Sequence, residues 1–88
     1  MYSAEFDEKW KEFFEDLPED MKLRVIKKIK RILEGLPTRH LEHGVPYFVE
    51  ELGRQYRICY KSFEDVKVRR FYFTGKHKDY EKWIGIRK

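Results

Sequence analysis

Hydrophobic residues recur at helical spacing through the first third of the chain, in two stripes separated by Pro18. A spacing of three or four residues within each stripe predicts two amphipathic helices. Gly35 and Pro37 are typical of a helix end. The short turn between the helices predicts an antiparallel hairpin, and a short strand is expected before it at residues 2–5. The stripes are Phe6, Trp10, Phe13, Phe14 and Leu17, then Met21, Val25, Ile29, Ile32, Leu33 and Leu36.

From residue 47 onward, apolar and polar residues alternate, which predicts β-strands. Strands are expected at residues 47–52, 55–63 and 66–74, with turns near Gly53 and at Glu64. Strict alternation in the third strand gives two sets of residues, one on each face of the sheet. The first set is Lys67, Arg69, Phe71 and Phe73, and the second is Val66, Val68, Arg70 and Tyr72.

Residues 38–46 are predicted to form a loop, and residues 76–88 a tail with a helical turn around residues 80–84. The order is therefore a short strand, two helices and a three-stranded antiparallel meander. This order is typical of an α+β fold in which a helical hairpin packs on one face of a small antiparallel sheet. A chain of this length is expected to fold as a single domain, residues 1–88.

Composition supports a folded domain, since 41% of the residues are hydrophobic and 17% are aromatic. Such a chain can build a core, which excludes intrinsic disorder. The apolar runs are too short for a membrane span, and charged residues at positions 5–9 predict no signal peptide. The single cysteine, Cys59, excludes an internal disulfide and favours the cytoplasm.

Charge is distributed unevenly along the chain, whose formal net charge is +4. Residues 1–20 hold eight acids and two bases, whereas residues 21–88 hold 18 bases and eight acids. A basic surface of this kind favours a polyanion or an acidic protein as partner. The alternative is a solvated, lysine-rich surface without a partner.

Two segments resemble motifs of one protein superfamily. Residues 55–60 read Gln-Tyr-Arg-Ile-Cys-Tyr, and residues 75–80 read Gly-Lys-His-Lys-Asp-Tyr. With the preceding helical hairpin, which ends Leu-Glu-Gly at residues 33–35, this order resembles the RelE/ParE superfamily of toxins from type II toxin–antitoxin systems. Residues 49–52 are also similar to a strand of HigB-like members. The resemblance covers nearly the whole chain and implies the same α+β fold.

The resemblance implies a choice between activities. RelE-like and HigB-like toxins cut mRNA in the ribosomal A site, whereas ParE-like toxins inhibit DNA gyrase and have no nuclease site. A non-toxic RNA-binding relative of the same fold is a third possibility. The first activity implies mRNA and the ribosome as partners, an acidic antitoxin protein as inhibitor, and neither a cofactor nor a metal.

Metal-independent RNA cleavage uses the neighbouring 2′-OH as nucleophile, so it needs proton transfer and neutralisation of the phosphate. The resemblance implies that Arg57 holds the scissile phosphate, that His77 transfers a proton, and that Tyr80 stacks on a base or orients the 2′-OH. The alternatives are a strand arginine paired with Glu50 or Glu51, an inert surface histidine, and a tyrosine that packs on the sheet.

Further basic residues are candidates for RNA binding. They are Lys76, Lys78, Arg39, His40 and Arg70. Adjacent Arg69 and Arg70 point to opposite faces of a strand, so one of them at most joins the basic surface. A zinc site formed by His40 and His43 with Cys59 or His77 is an alternative, although Cys59 is expected to be a small core residue.

Glu50 and Glu51 depart from the family pattern, because well-known ribosome-dependent members carry two lysines on this strand. Either glutamate could be the general base, as a carboxylate is in some relatives. Alternatively, the two acids weaken RNA binding and favour a function without nuclease activity.

Overall fold

A computed structural model describes residues 1–35 and 47–87 and confirms the α+β fold. Within this part of the chain, no helix is both long and apolar enough to cross a bilayer. The elements, in chain order, are β1 (Ser3–Phe6), α1 (Trp10–Glu15), α2 (Glu19–Leu33), β2 (Phe48–Leu52), β3 (Tyr56–Phe63), β4 (Val68–Lys76) and α3 (His77–Arg87).

The four strands form one sheet in the order β1-β4-β3-β2. β2, β3 and β4 make the predicted antiparallel meander, whereas β1 pairs in parallel with β4, from Ser3 opposite Val68 to Phe6 opposite Phe71. The predicted antiparallel meander is therefore confirmed, and the short first strand, for which no pairing was predicted, adds a parallel edge that makes the sheet mixed. The alternation of residues in a strand indicates which faces are buried, but it carries no information about the direction of the neighbouring strand.

The helical hairpin forms as predicted, although α1 is shorter than its hydrophobic stripe. Phe6 belongs to β1, and the backbone N–H of Trp10 donates to the carbonyl of Asp7 at 2.9 Å, which starts the helix after a turn. α2 begins directly after Pro18. Gly35, with φ of 106°, follows its C-terminus in the left-handed conformation that favours glycine.

The hairpin packs on one face of the sheet and closes the first of two cores. Val25 and Ile32 of α2 are fully buried against Ile58, Tyr60 and Phe71. Apolar burial of this kind supplies the main stabilisation of a small domain. The position of the hairpin on one sheet face confirms the predicted layer arrangement.

The opposite face of the sheet is covered by α3, where a tail with one helical turn was predicted. Tyr80, Trp83 and Ile84, at helical spacing, pack on Phe73 and Cys59. Cys59 is fully buried, as expected of a small core residue. The third predicted strand, residues 66–74, also ended too early, since β4 continues to Lys76 and passes directly into the helix.

A bulge at Tyr72 reverses the sheet faces on which the last residues of β4 lie. Cys59 pairs with Phe73, but the next residue, Tyr60, pairs with Phe71, so Tyr72 is an extra residue in β4. Consequently Phe71 lies in the hairpin core, while Tyr72 and Phe73 both pack on the α3 side. The prediction that Phe71 and Phe73 share a face was wrong, because the extra residue reverses the alternation.

Arg69 is buried in the hairpin core and connects three elements. Its guanidinium donates to the carbonyl of Ile32 at 2.7 Å and to Ser62 Oγ at 3.0 Å, and it lies 3.8 Å from the centroid of the Tyr2 ring. The neighbouring Arg70 faces the other way, which confirms the prediction that the two arginines lie on opposite faces.

Replacement of Arg69 is expected to destabilise the fold. Arg69→Met leaves the carbonyl of Ile32 without its charged donor, so the free energy of unfolding should fall by about 1–3 kcal/mol, measured by urea denaturation. Arg70→Met is the matched control. It removes ion pairs to the exposed Glu5 and to Asp7, and a much smaller loss is expected. Equal losses in the two variants would contradict this role of Arg69.

Candidate functional site

The junction of β4 and α3 brings together three residues that the sequence singled out. Arg57 on β3 lies opposite Gly75 on β4, and His77 begins α3 two residues later. The Arg57 guanidinium carbon lies 6.0 Å from the centroid of the Tyr80 ring. The rings of His77 and Tyr80 are 6.3 Å apart and inclined by 27°. Arg57, His77 and Tyr80 therefore form one cluster, which we call the junction cluster.

His77 is held by its backbone while its ring stays accessible. Its N–H donates to the carbonyl of Gln55 at 2.6 Å, which attaches the start of α3 to the β2–β3 turn. The side chain is 48% exposed, and Nε2 lies 3.6 Å from Glu81 Oε2, one helical turn away. Sequence reasoning missed Glu81, although the spacing of four residues on a helix is a recognisable signal.

Arg57 is paired with Glu51, which is the alternative that the sequence left open. Glu51 lies directly opposite Arg57 in the sheet, and Arg57 Nη1 lies 3.5 Å from Glu51 Oε2. Nη1 is buried and has no hydrogen-bond partner within the described part of the chain. A buried donor without a hydrogen bond is unfavourable, and here the Glu51 carboxylate at 3.5 Å compensates the charge of the guanidinium.

Glu50 and Glu51 lie on opposite faces of β2. Glu50 is 2% exposed and points under α2, where Oε1 lies 3.8 Å from Lys28 Nζ. Glu51 is mostly exposed on the face that carries Arg57. Of the two glutamates that the sequence offered as a general base, Glu51 is therefore the one beside the junction cluster.

Tyr80 is mostly buried in the core beneath α3, with its ring 6.3 Å from that of Phe73. This burial favours the alternative in which the residue packs on the sheet, because a base needs an open ring face on which to stack. Tyr80 also contacts Arg57, and a ring beneath a guanidinium helps to fix the direction of that arginine side chain.

The residues predicted to bind RNA are distributed unequally. Lys76 and Lys78 are exposed beside the junction cluster. Arg70 lies toward the opposite end of β4, where it is paired with Glu5 at 3.3 Å and with Asp7 at 3.5 Å.

Three predicted residues, Arg39, His40 and His43, lie outside the described residues. The zinc alternative therefore has no structural description. Within residues 1–35 and 47–87, no group of three His, Cys, Asp or Glu side chains could hold a metal ion.

A cleft of about 630 Å³ lies next to the junction cluster, between α1, β4 and α3. It opens because β1 pairs with β4 only as far as Phe71, so the last residues of β4 have no strand on that side. Lys76 and Asp79 lie on its rim, whereas Arg57 and His77 do not line it. The remaining lining residues are Lys9, Phe13, Asp16, Leu17, Pro18, Tyr56, Phe73, Thr74, Gly75, Lys82 and Trp83.

A second group on the same sheet face was missed by sequence reasoning. Lys61 on β3 lies against the rings of Tyr47 and Tyr72. Alternation alone places Tyr72 on the face of Arg70, but it does not show which residues of β2 and β3 lie beside it.

Comparison with known proteins identifies the fold by structure. Neither a protein-family model nor a curated protein sequence matches this chain. Among solved structures, a chain of the intact E. coli RelBE toxin–antitoxin complex matches with a TM-score of 0.75 at 22% identity, over 86% of this chain and 96% of that one. The isolated E. coli RelE toxin matches with a TM-score of 0.74 at 20% identity, over 100% of both chains.

An archaeal structure gives a similar result. A chain of the RelE–RelB complex from Pyrococcus horikoshii OT3 matches with a TM-score of 0.65 at 17% identity, over 85% of this chain and 93% of that one. The match to the isolated E. coli RelE toxin extends over both complete chains, so it covers the sheet, the helical hairpin and α3 together. The chain therefore has the RelE fold that its sequence resemblance predicts.

Proposed function

We propose that the protein is the toxin of a toxin–antitoxin pair and that it cuts mRNA on translating ribosomes. The observation that carries this proposal is the junction cluster, in which the Arg57 guanidinium and the accessible imidazole of His77 both lie next to the ring of Tyr80. A fixed cation beside a proton carrier is the minimum that metal-independent RNA cleavage requires. The RelE fold supports the same assignment, since the matched structures include a RelE toxin and toxin–antitoxin complexes.

The proposed reaction is an internal transfer at the scissile phosphate. The 2′-OH loses its proton to Glu51 and its oxygen attacks phosphorus. The bond to the 5′-oxygen breaks, and His77 supplies the proton that this leaving oxygen takes up. The products are a 2′,3′-cyclic phosphate and a 5′-OH. Arg57 neutralises the charge that develops on the phosphate.

The remaining chain provides affinity for the ribosome and for an inhibitor. Residues 21–88 carry an excess of ten positive charges, and such a surface binds ribosomal RNA through phosphate contacts that do not depend on sequence. The same surface would receive an acidic antitoxin protein, in the way that relatives were crystallised with RelB. We propose that the chain acts as a single toxin domain in the cytoplasm and needs no cofactor.

A ParE-like action on DNA gyrase, without nuclease chemistry, is the second candidate. The ion pair between Arg57 and Glu51 favours it, because a carboxylate beside the phosphate-binding arginine opposes the binding of an anion. Under this alternative, neither Arg57 nor His77 is needed for toxicity.

The cleavage proposal predicts ribosome-dependent cuts that need the junction cluster. Purified protein is added to a cell-free system that translates a defined mRNA, and new 5′ ends are mapped by primer extension. Loss of a proton carrier lowers the rate by about 10²–10⁴, so the cuts should nearly disappear in His77→Ala. Arg57→Ala should show a comparable loss, because it removes the phosphate ligand.

Arg54→Ala is the matched control, since Arg54 is an exposed arginine of the β2–β3 turn. It should cut like the wild type. Growth arrest by the wild type without any mRNA cut would refute the nuclease proposal and favour gyrase. Cuts that persist in both Ala variants would show that the chemistry lies elsewhere.

Replacement of Glu51 separates its two possible roles. If Glu51 takes the 2′-OH proton, Glu51→Gln should lower the single-turnover cleavage rate by about tenfold or more without weakening RNA binding. If the carboxylate merely opposes RNA binding, the same variant should bind RNA more tightly and cut faster. Single-turnover rates and dissociation constants, measured on the same mRNA, distinguish these outcomes.

A further inference from the structure

Lys61, Tyr47 and Tyr72 form a compact group on the α3 face of the sheet, apart from the junction cluster. Lys61 Nζ lies 5.0 Å from the centroid of the Tyr47 ring and 5.5 Å from that of Tyr72. The two rings are 5.2 Å apart and inclined by 66°, an edge-on arrangement. We call this group the tyrosine–lysine cluster. It combines aromatic surface with a positive charge, the two features that bind single-stranded nucleic acid.

The pairing of β3 with β4 places Tyr72 next to Lys61. Lys61 lies opposite Arg70, and Tyr72, two residues further along β4, faces the same side of the sheet as Arg70. The bulge then brings Phe73 to this face as well, and both aromatic residues pack on the α3 side. Tyr72 remains half-buried, and this burial raises the pKa of its phenol, although nearby Arg70 opposes the shift. Its ring is therefore a neutral platform at physiological pH.

The charge of Lys61 is available to an incoming anion. In the described part of the chain, no carboxylate lies within ion-pair distance of its ammonium group, which faces the two tyrosine rings instead. Lys67 differs, although it also lies over a tyrosine ring, because Glu64 is 3.9 Å away. Arg70, the other cation near Tyr72, is already paired with two acids.

The tyrosine–lysine cluster lies on the same face of the sheet as the junction cluster. Arg57 and Lys61 are four residues apart on β3, so their side chains leave that face at a distance of about 13 Å from each other. Cys59, midway between them, is fully buried in the core beneath α3, so the direct path along the strand is covered. An RNA that contacts both clusters therefore passes around α3.

We propose that the tyrosine–lysine cluster is a second nucleotide-binding subsite, where the base of a flanking nucleotide stacks on Tyr72 and its phosphate pairs with Lys61. The buried Tyr47 supports the lysine from below. The proposal rests on the proposed action on RNA. RNA fits this surface better than an acidic peptide, because a peptide carboxylate would use the ammonium but leave the ring of Tyr72 without a stacking partner.

The test measures RNA binding directly, so that it does not depend on cleavage. The full-length protein is titrated into a short, fluorescent 2′-O-methyl oligonucleotide of mixed sequence, which lacks the attacking hydroxyl. Tyr72→Ala should weaken binding by about tenfold, as expected for loss of one stacked base, whereas Tyr72→Phe should bind like the wild type. Lys61→Gln should lower the slope of log affinity against log salt by about 0.7, the value for one phosphate contact with a single strand.

Lys67→Gln is the matched control, since it removes a lysine that also lies over a tyrosine ring but is paired with Glu64. It should leave the affinity and the salt slope nearly unchanged. Thermal unfolding of each variant shows whether a loss of binding reflects misfolding, and the Tyr72→Phe result separates stacking from packing.

Several results would overturn the inference. They are wild-type affinity in Tyr72→Ala and Lys61→Gln, an equal loss in Lys67→Gln, or no binding by the wild type. The variants are also titrated with an acidic peptide. If they lose affinity for the peptide but bind RNA like the wild type, the inference is overturned and the surface is assigned to a protein partner. If the wild type fails to cut mRNA but the binding pattern is as expected, the proposed nuclease function fails while this subsite stands.

Discussion

The antiparallel pairing of β3 with β4 determines where the rest of the molecule lies. In one half of this pair, Arg57 faces Gly75, and β4 continues without a loop into α3. The pairing therefore sets the distance between an arginine on one strand and a histidine on the following helix. In the other half, on the far side of the bulge, Lys61 lies opposite Arg70 and next to Tyr72. One strand pair thus positions both groups of candidate functional residues.

The two faces of the sheet carry polar groups with different tasks. On the hairpin side, Arg69 and Glu50 are buried and engaged with neighbouring elements, so they stabilise the arrangement of the helices. On the α3 side, Arg57 and Lys61 lie near aromatic rings. A cation over a ring keeps its charge and its direction while it retains the capacity to bind a phosphate. Arg69 also lies over a ring, 3.8 Å from that of Tyr2, but its guanidinium is engaged by hydrogen bonds to Ile32 and Ser62, which is why the function is assigned to the second face.

The sequence predicted the helices and the meander well, because hydrophobic periodicity is strong where one face of an element is buried. It did not predict the parallel pairing of β1, since the four residues of that strand are exposed and have no pattern. The full length of α3 was missed, although Tyr80, Trp83 and Ile84 have helical spacing. The bulge was missed because an extra residue in a strand leaves no trace in residue alternation.

The candidate site was only partly predictable. Resemblance to a family selected Arg57, His77 and Tyr80, and strand alternation separated Glu50 from Glu51. Alternation does not show, however, which of the two faces is covered by α2 and which by α3, because that depends on how the helices pack against the sheet. Glu81 and the tyrosine–lysine cluster required the three-dimensional arrangement, since they are defined by distances between elements far apart in the sequence.

The most direct test of the central claim is the chemistry of the cut itself. A translated mRNA is prepared with a single 2′-deoxy nucleotide on the 5′ side of a mapped cleavage position, and its cleavage is compared with that of the unmodified mRNA. Attack by the 2′-OH predicts that the unmodified mRNA is cut to a 2′,3′-cyclic phosphate and that the deoxy position remains intact. Equal cleavage of both would contradict the proposed reaction on the α3 face of the sheet.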